Sequence, residues 1–131
     1  MGFLTGKTAI ITGAGRAVLK DGGCGSIGYG IATAYAKEGA NLVITGRNVK
    51  KLEEGKEELE RLYGIEVLMA AADVKAHGDN EATVSEVVQK TMERFGRIDV
   101  LINVAQASAS GVPLAEHTTA QFDLALYSGL Y

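Results

Sequence analysis

The sequence predicts an α/β fold: a parallel sheet of four strands in the order 3-2-1-4, with helices on both faces. Three observations carry this. Short Val- and Ile-rich runs alternate with longer segments of helical periodicity, a βαβαβαβα pattern. A glycine turn follows the first apolar run directly and leads into a helical stretch. Right-handed crossovers with a switch point after the first strand then give the strand order.

The elements follow in turn. Residues 8–12 form an apolar run that reads as a strand buried on both faces. The turn Thr12-Gly13-Ala14-Gly15 comes next and is completed only at Ser26-Ile27-Gly28-Tyr29-Gly30, so residues 17–25 read as an insertion. Residues 31–38 are a small-residue helical stretch that stops at Gly39. Residues 41–45 are the second strand. Residues 49–63 are dense in Glu and Lys with Leu52, Leu59 and Leu62 on one face, an amphipathic helix. Residues 66–70 are the third strand, and residues 80–95 place Val84, Val87, Val88, Met92 and Phe95 at helical spacing. The fourth strand is 98–103, followed by a polar, small-residue loop at 106–118. A last helix at 119–130 carries Phe122, Leu124, Leu126 and Leu130, with Thr118 or Thr119 as its N-cap.

The 131 residues read as a single portion of one domain, 1–131, without repeats or linkers. A net charge of −3 and the lack of a basic run argue against a nucleic-acid partner. No apolar stretch reaches the roughly 18–20 residues that span a bilayer, so no membrane partner is expected. Cys24 is the only cysteine, which excludes an intrachain disulfide and fits a reducing cytoplasm; it reads as an incidental thiol. His77 and His117 stand isolated in polar loops as surface residues, and no metal is expected.

The chemistry concentrates at the strand ends. A helix start offers unpaired N–H groups and a positive dipole end, and glycines let the backbone approach a phosphate. Gly13, Gly15, Ser26, Ile27 and Gly28 are therefore candidate phosphate contacts, and Arg16 reaches toward the same group. After the second strand comes Thr45-Gly46-Arg47-Asn48, with no carboxylate to bind a ribose 2′-hydroxyl. An Arg there accommodates a 2′-phosphate, so Arg47 and Asn48 favour NADP(H), with NAD(H) as the alternative. The alternative, less favoured, is that Arg47 is one more solvated charge. Asp73 and Val74, just after the third strand, are placed to meet an adenine amino group; Asp73 also suits a turn cap. Asn103 and Ala105, at the end of the fourth strand, face the ligand crevice of an open α/β sheet, unless Asn103 simply ties neighbouring loops together.

These pieces together resemble the short-chain dehydrogenase/reductase family. The matching segments begin with the run from Leu4 to Gly13 and Glu38-Gly39-Ala40. They continue through Thr45-Gly46-Arg47, Ala72-Asp73-Val74 and the run from Phe95 to Asn103. The resemblance implies an NAD(P)-binding Rossmann fold, here incomplete. It also implies NADP(H) as cofactor and hydride transfer between a nicotinamide and a carbonyl or alcohol. The family pattern T-G-x-x-x-G-x-G maps to Thr12, Gly13, Ser26 and Gly28 across the insertion. The serine and the longer turn also resemble the divergent enoyl-reductase branch.

Two departures bear on catalysis. The catalytic-tetrad Asn position falls at Gly129, and N-N-A-G reads Asn103-Val104-Ala105-Gln106. Four residues after Tyr29, Tyr35, Tyr63 and Tyr127 stand Thr33, Gly39, Val67 and Tyr131, so the family's Tyr-x-x-x-Lys acid has no counterpart here. The implied reading is the cofactor-binding half of a reductase, with no catalytic residue of its own and inactive alone. The alternatives are a non-catalytic dinucleotide-binding module or a subunit fragment completed by another chain. Tyr127 and Tyr131 read as packing residues. The apolar fourth strand, without Lys or Pro to protect it, is expected to sit at an edge and promote self-association. The insertion is expected to fold over the cofactor, or to fray without it.

Overall fold

The computed structural model describes residues 2–23, 25–72, 81–105 and 112–126. Four strands, β1 (Thr8–Ile11), β2 (Asn41–Gly46), β3 (Val67–Ala71) and β4 (Val100–Ile102), form one sheet in the order β3-β2-β1-β4. All three pairings are parallel, with Ile11 level with Ile44 and with Ile102. The helices are α1 (Ile27–Lys37), α2 (Val49–Tyr63), α3 (Glu81–Phe95) and α4 (Thr119–Ala125), with a short 3-10 turn at Leu114–Glu116.

Local sequence explains the helix starts. The Ser26 hydroxyl accepts from the Tyr29 N–H, so α1 begins at Ile27, four residues earlier than its apolar stretch indicates. Asn48 caps α2 by accepting from the Lys51 N–H. Thr118 caps α4 in a reciprocal capping box with Gln121.

The two faces of the sheet are covered unequally. On the α1/α2 side, Tyr29, Ala32 and Ala36 of α1 and Leu52 and Leu59 of α2 pack with Ile11, Leu42 and Ile44 in a closed core. Leu62 lies outside it, 54% exposed, because the buried stripe of α2 runs through Leu52, Gly55 and Leu59. On the other side, α3 buries only Thr91, and Val84, Val88 and Met92 remain exposed. Helical spacing sets which residues share a face, not what covers it. β4 forms one edge of the sheet, as expected, with Leu101 58% exposed.

Backbone hydrogen bonds link the described residues of the insertion. Gly25 N–H donates to the Ala17 carbonyl (2.7 Å) and Leu19 N–H to the Gly23 carbonyl (2.8 Å). A tight turn closes the tip through Gly22 N–H to the Leu19 carbonyl (2.9 Å), and the Asp21 carboxylate accepts from Gly23 N–H (3.0 Å). The segment is a small hairpin that returns the chain to the start of α1.

Candidate cofactor-binding site

The carboxyl ends of β1 and β2 open onto a cleft of about 820 Å³ lined by Gly13, Gly15, Ala17, Ser26, Gly46, Arg47, Asn48, Val49 and Lys51. Both halves of the split glycine turn and the residues after the second strand therefore meet in one place. The turn is fixed from below. Ala14 N–H donates to the Thr45 carbonyl (3.1 Å) and Arg16 N–H to the Lys51 carbonyl (2.9 Å). In the first turn of α1 the Ile27 and Gly28 N–H groups have no carbonyl partner within the helix, the orphan donors of any helix start.

Glycine is required here by space. A Cβ on Gly28 falls inside contact distance of the Gly13 carbonyl oxygen and 2.8 Å from its carbon. Gly13 has φ +64°, and a Cβ there comes 3.1 Å from the Ala105 backbone. Ala105 is thus packed on the turn, held by Thr12, whose hydroxyl accepts from the Val104 and Ala105 N–H groups at 2.9 and 3.1 Å. A backbone cradle without side chains, next to a helix start, fits a pyrophosphate group.

The cations beside the cleft differ in kind. Among the described residues neither Arg47 nor Lys51 is in an ion pair. Arg16 is committed: its Nε lies 2.8 Å from Glu58. The Glu58 carboxylate also accepts from the Tyr29 hydroxyl. That bond, ahead of the Arg16 contact, holds the Glu58 carboxyl below its ordinary range. Burial first, then Glu58, pushes the Tyr29 hydroxyl well above its ordinary value.

Asn103 lines a second, apolar pocket of about 390 Å³ on the α3 side of the sheet, with Thr12, Thr45, Ala72, Val84 and Leu101 among its neighbours. Asp73, Val74, Cys24, His77, Tyr127, Gly129 and Tyr131 lie outside the described residues. His117 is half-buried, with an Nε2 that has no partner among the described residues, rather than the surface group expected. Three contributors were not singled out from sequence. The Thr12 hydroxyl and the Lys51 side chain adjoin residues that were, but Glu58 was one acid among many on a charged helix.

A model of the short chain dehydrogenases matches residues 7–127. The chain belongs to the short-chain dehydrogenase family. It is 63% identical over all 131 residues to a 12α-hydroxysteroid dehydrogenase of a Clostridium species, covering 48% of that protein. Among solved structures it is similar to L-sorbose reductase of Gluconobacter frateurii in complex with NADPH and L-sorbose. The TM-score is 0.72 at 29% identity, over 97% of this chain and 43% of that one. It is also similar to a metagenomic short-chain oxidoreductase in complex with NADP, with TM-score 0.71 and 30% identity, over 95% of this chain and 50% of the other. The chain therefore spans about half the length of the relatives it matches. No helix among the described residues is long and apolar enough to cross a membrane.

Proposed function

We infer that this chain supplies the NADP(H)-binding half of a short-chain dehydrogenase/reductase that interconverts a secondary alcohol and a ketone. The observation that carries this is the meeting of the split glycine turn and Arg47 in one cleft. When bound, the nicotinamide supplies or accepts the hydride. This chain's own residues do the binding. Gly13, Gly15 and the start of α1 from Ser26 to Gly28 take the pyrophosphate on backbone N–H groups. Arg47, with Asn48 beside it, takes the ribose 2′-phosphate. Ala105, packed on Gly13, closes the floor of the turn. Asp73 and Val74 take the adenine edge. The proton donor that accompanies hydride transfer is assigned to no residue of this chain.

The 63% identity to a 12α-hydroxysteroid dehydrogenase supports a hydroxysteroid as substrate of the whole protein. Similar structures in complex with NADPH and NADP, and an Arg47 that is in no ion pair among the described residues, support NADP(H) over NAD(H). The test is Arg47→Met. Removing a charge-assisted phosphate contact weakens NADPH binding by about tenfold or more, while NADH, lacking the 2′-phosphate, changes little. Equal losses for both nucleotides contradict the assignment of Arg47.

A further inference from the structure

Glu58 is remote from the phosphate turn in sequence, yet three chain segments meet at its carboxylate. One oxygen lies 2.8 Å from Arg16 Nε and the other accepts from the Tyr29 hydroxyl. The side chains of Glu58 and Arg16 are only 20% and 32% exposed, so this pair is better shielded than the fully exposed ion pairs of helix surfaces. Lys51, Gly55 and Glu58 are spaced i, i+4, i+7 and share one face of α2. The Lys51 carbonyl accepts from Arg16 N–H, and a Cβ on Gly55 falls 3.3 Å from the Tyr29 ring and 3.5 Å from Arg16 N. One stripe of α2 therefore grips Arg16 at both backbone and side chain.

Arg16 is also where the two halves of the glycine turn are joined. It precedes Ala17, whose carbonyl accepts from Gly25 N–H, and Gly25 precedes the cap Ser26. Fixing Arg16 fixes the base of the hairpin, and with it the position of Ser26 relative to Gly13 and Gly15. An acid this near a phosphate cradle repels the ligand unless it is neutralised, and Arg16 neutralises it. The pair adds little net charge to the site, and its contribution is placement.

We propose that Glu58 is a positioning residue for cofactor binding: through Arg16 and Tyr29 it anchors the hairpin base and keeps the split phosphate turn in register. This rests on the cofactor reading above. It differs from a role for Arg16 as a direct phosphate ligand, and the two make separable predictions.

The experiment uses this chain with Glu58→Gln, Arg16→Gln and the double variant. Affinities are measured for NADPH and for adenosine 2′-monophosphate, which lacks the pyrophosphate, and hydrogen exchange is followed at residues 18–23. Glu58→Gln and Arg16→Gln each weaken NADPH by about three- to tenfold, the range for a lost charge-assisted contact in a partly exposed site. The double variant is no worse than either alone, because the two residues act as one unit. The affinity for adenosine 2′-monophosphate stays within about twofold, since that ligand needs only the Arg47 side, and hairpin exchange quickens. Tyr29→Phe, which keeps the ion pair, shows a smaller loss. Several results overturn the proposal: unchanged or tighter NADPH binding in Glu58→Gln, additive losses in the double variant, or a parallel loss for adenosine 2′-monophosphate. If the wild-type chain binds neither nucleotide, the cofactor reading fails; the anchor is then judged on exchange alone, and unaltered hairpin exchange in Glu58→Gln overturns it.

Discussion

Replacing Gly28 with alanine tests the claim that α1 sits directly on the glycine turn. The new methyl falls inside contact distance of the Gly13 carbonyl oxygen, 2.8 Å from its carbon and 3.2 Å from the Ala14 Cα. Ordinary carbon contacts lie near ~3.5–4.0 Å, so the start of α1 or the turn must retreat by about 1 Å. All three atoms are backbone, so the clash is relieved only by moving an element. Overpacking of this kind costs about 1–3 kcal/mol, and the rigid neighbour places Gly28→Ala at the upper end. Helix propensity returns up to about 1 kcal/mol, because Gly28 lies within a helix. The net cost is about 2 kcal/mol, a fall in Tm of about 8 °C at roughly 4 °C per kcal/mol for a chain of this size. NADPH binding weakens further than stability alone explains, since the displaced N–H groups are those proposed to hold the pyrophosphate. Thermal melts and NADPH titration read both effects. Gly64→Ala is the control: its φ is +68° with no atom near the added methyl, so only backbone strain is introduced and NADPH affinity is retained. A Gly28→Ala protein with unaltered Tm and NADPH affinity refutes the packing argument.

Thr12→Val keeps the shape of the β1–β4 junction but leaves the Val104 and Ala105 N–H groups without their acceptor. The expected loss is about 2 kcal/mol, visible as a lower denaturant midpoint with unchanged slope. The Asp99 carboxyl is held down at about 2, first by its bidentate contact with Arg97 and then by the Thr8 N–H. Its folded value lies below the unfolded value of about 3.9, so its stabilisation is complete above about pH 5 and is lost progressively as pH falls through about 4 toward about 2 and below. Asp99→Asn flattens that part of the acid-stability profile, and a carboxyl resonance titrating near 4 in the folded protein contradicts the arrangement. The exposed β4 edge and the apolar face of α3 are proposed to drive self-association. Light scattering then shows mass rising with concentration, reduced by Leu101→Lys; a wild-type monomer at all concentrations sinks that proposal.

The sheet was legible in the sequence because its strands read as short apolar runs, most clearly the buried central β1 and β2, and the cap Thr118 follows from local chemistry. The cleft was legible at Gly13, Gly15, Ser26, Arg47 and Asn48, which the structure brings together. The coverage of α3 was not, since Val84 and Val88 have the same spacing whether covered or bare. Nor was the hairpin, whose ladder is made of backbone bonds that Gly-rich composition conceals. Glu58 escaped notice because its partner Arg16 is 42 residues away, and no periodicity connects a helix acid with a distant turn. Asn103, expected at the crevice from its place after the fourth strand, lines the apolar pocket with Thr12, Thr45 and Ala72, which stand at the carboxyl ends of the neighbouring strands.

The most direct test of the central claim is backbone amide chemical-shift mapping of this chain during titration with NADPH. The account predicts saturable shifts at Gly13, Gly15, Ser26, Ile27, Gly28, Arg47 and Asn48, with the Arg47 and Asn48 shifts diminished when NADH replaces NADPH. Shifts centred instead on Thr83, Val84 and Leu101 of the apolar pocket, or none with either nucleotide, contradict it.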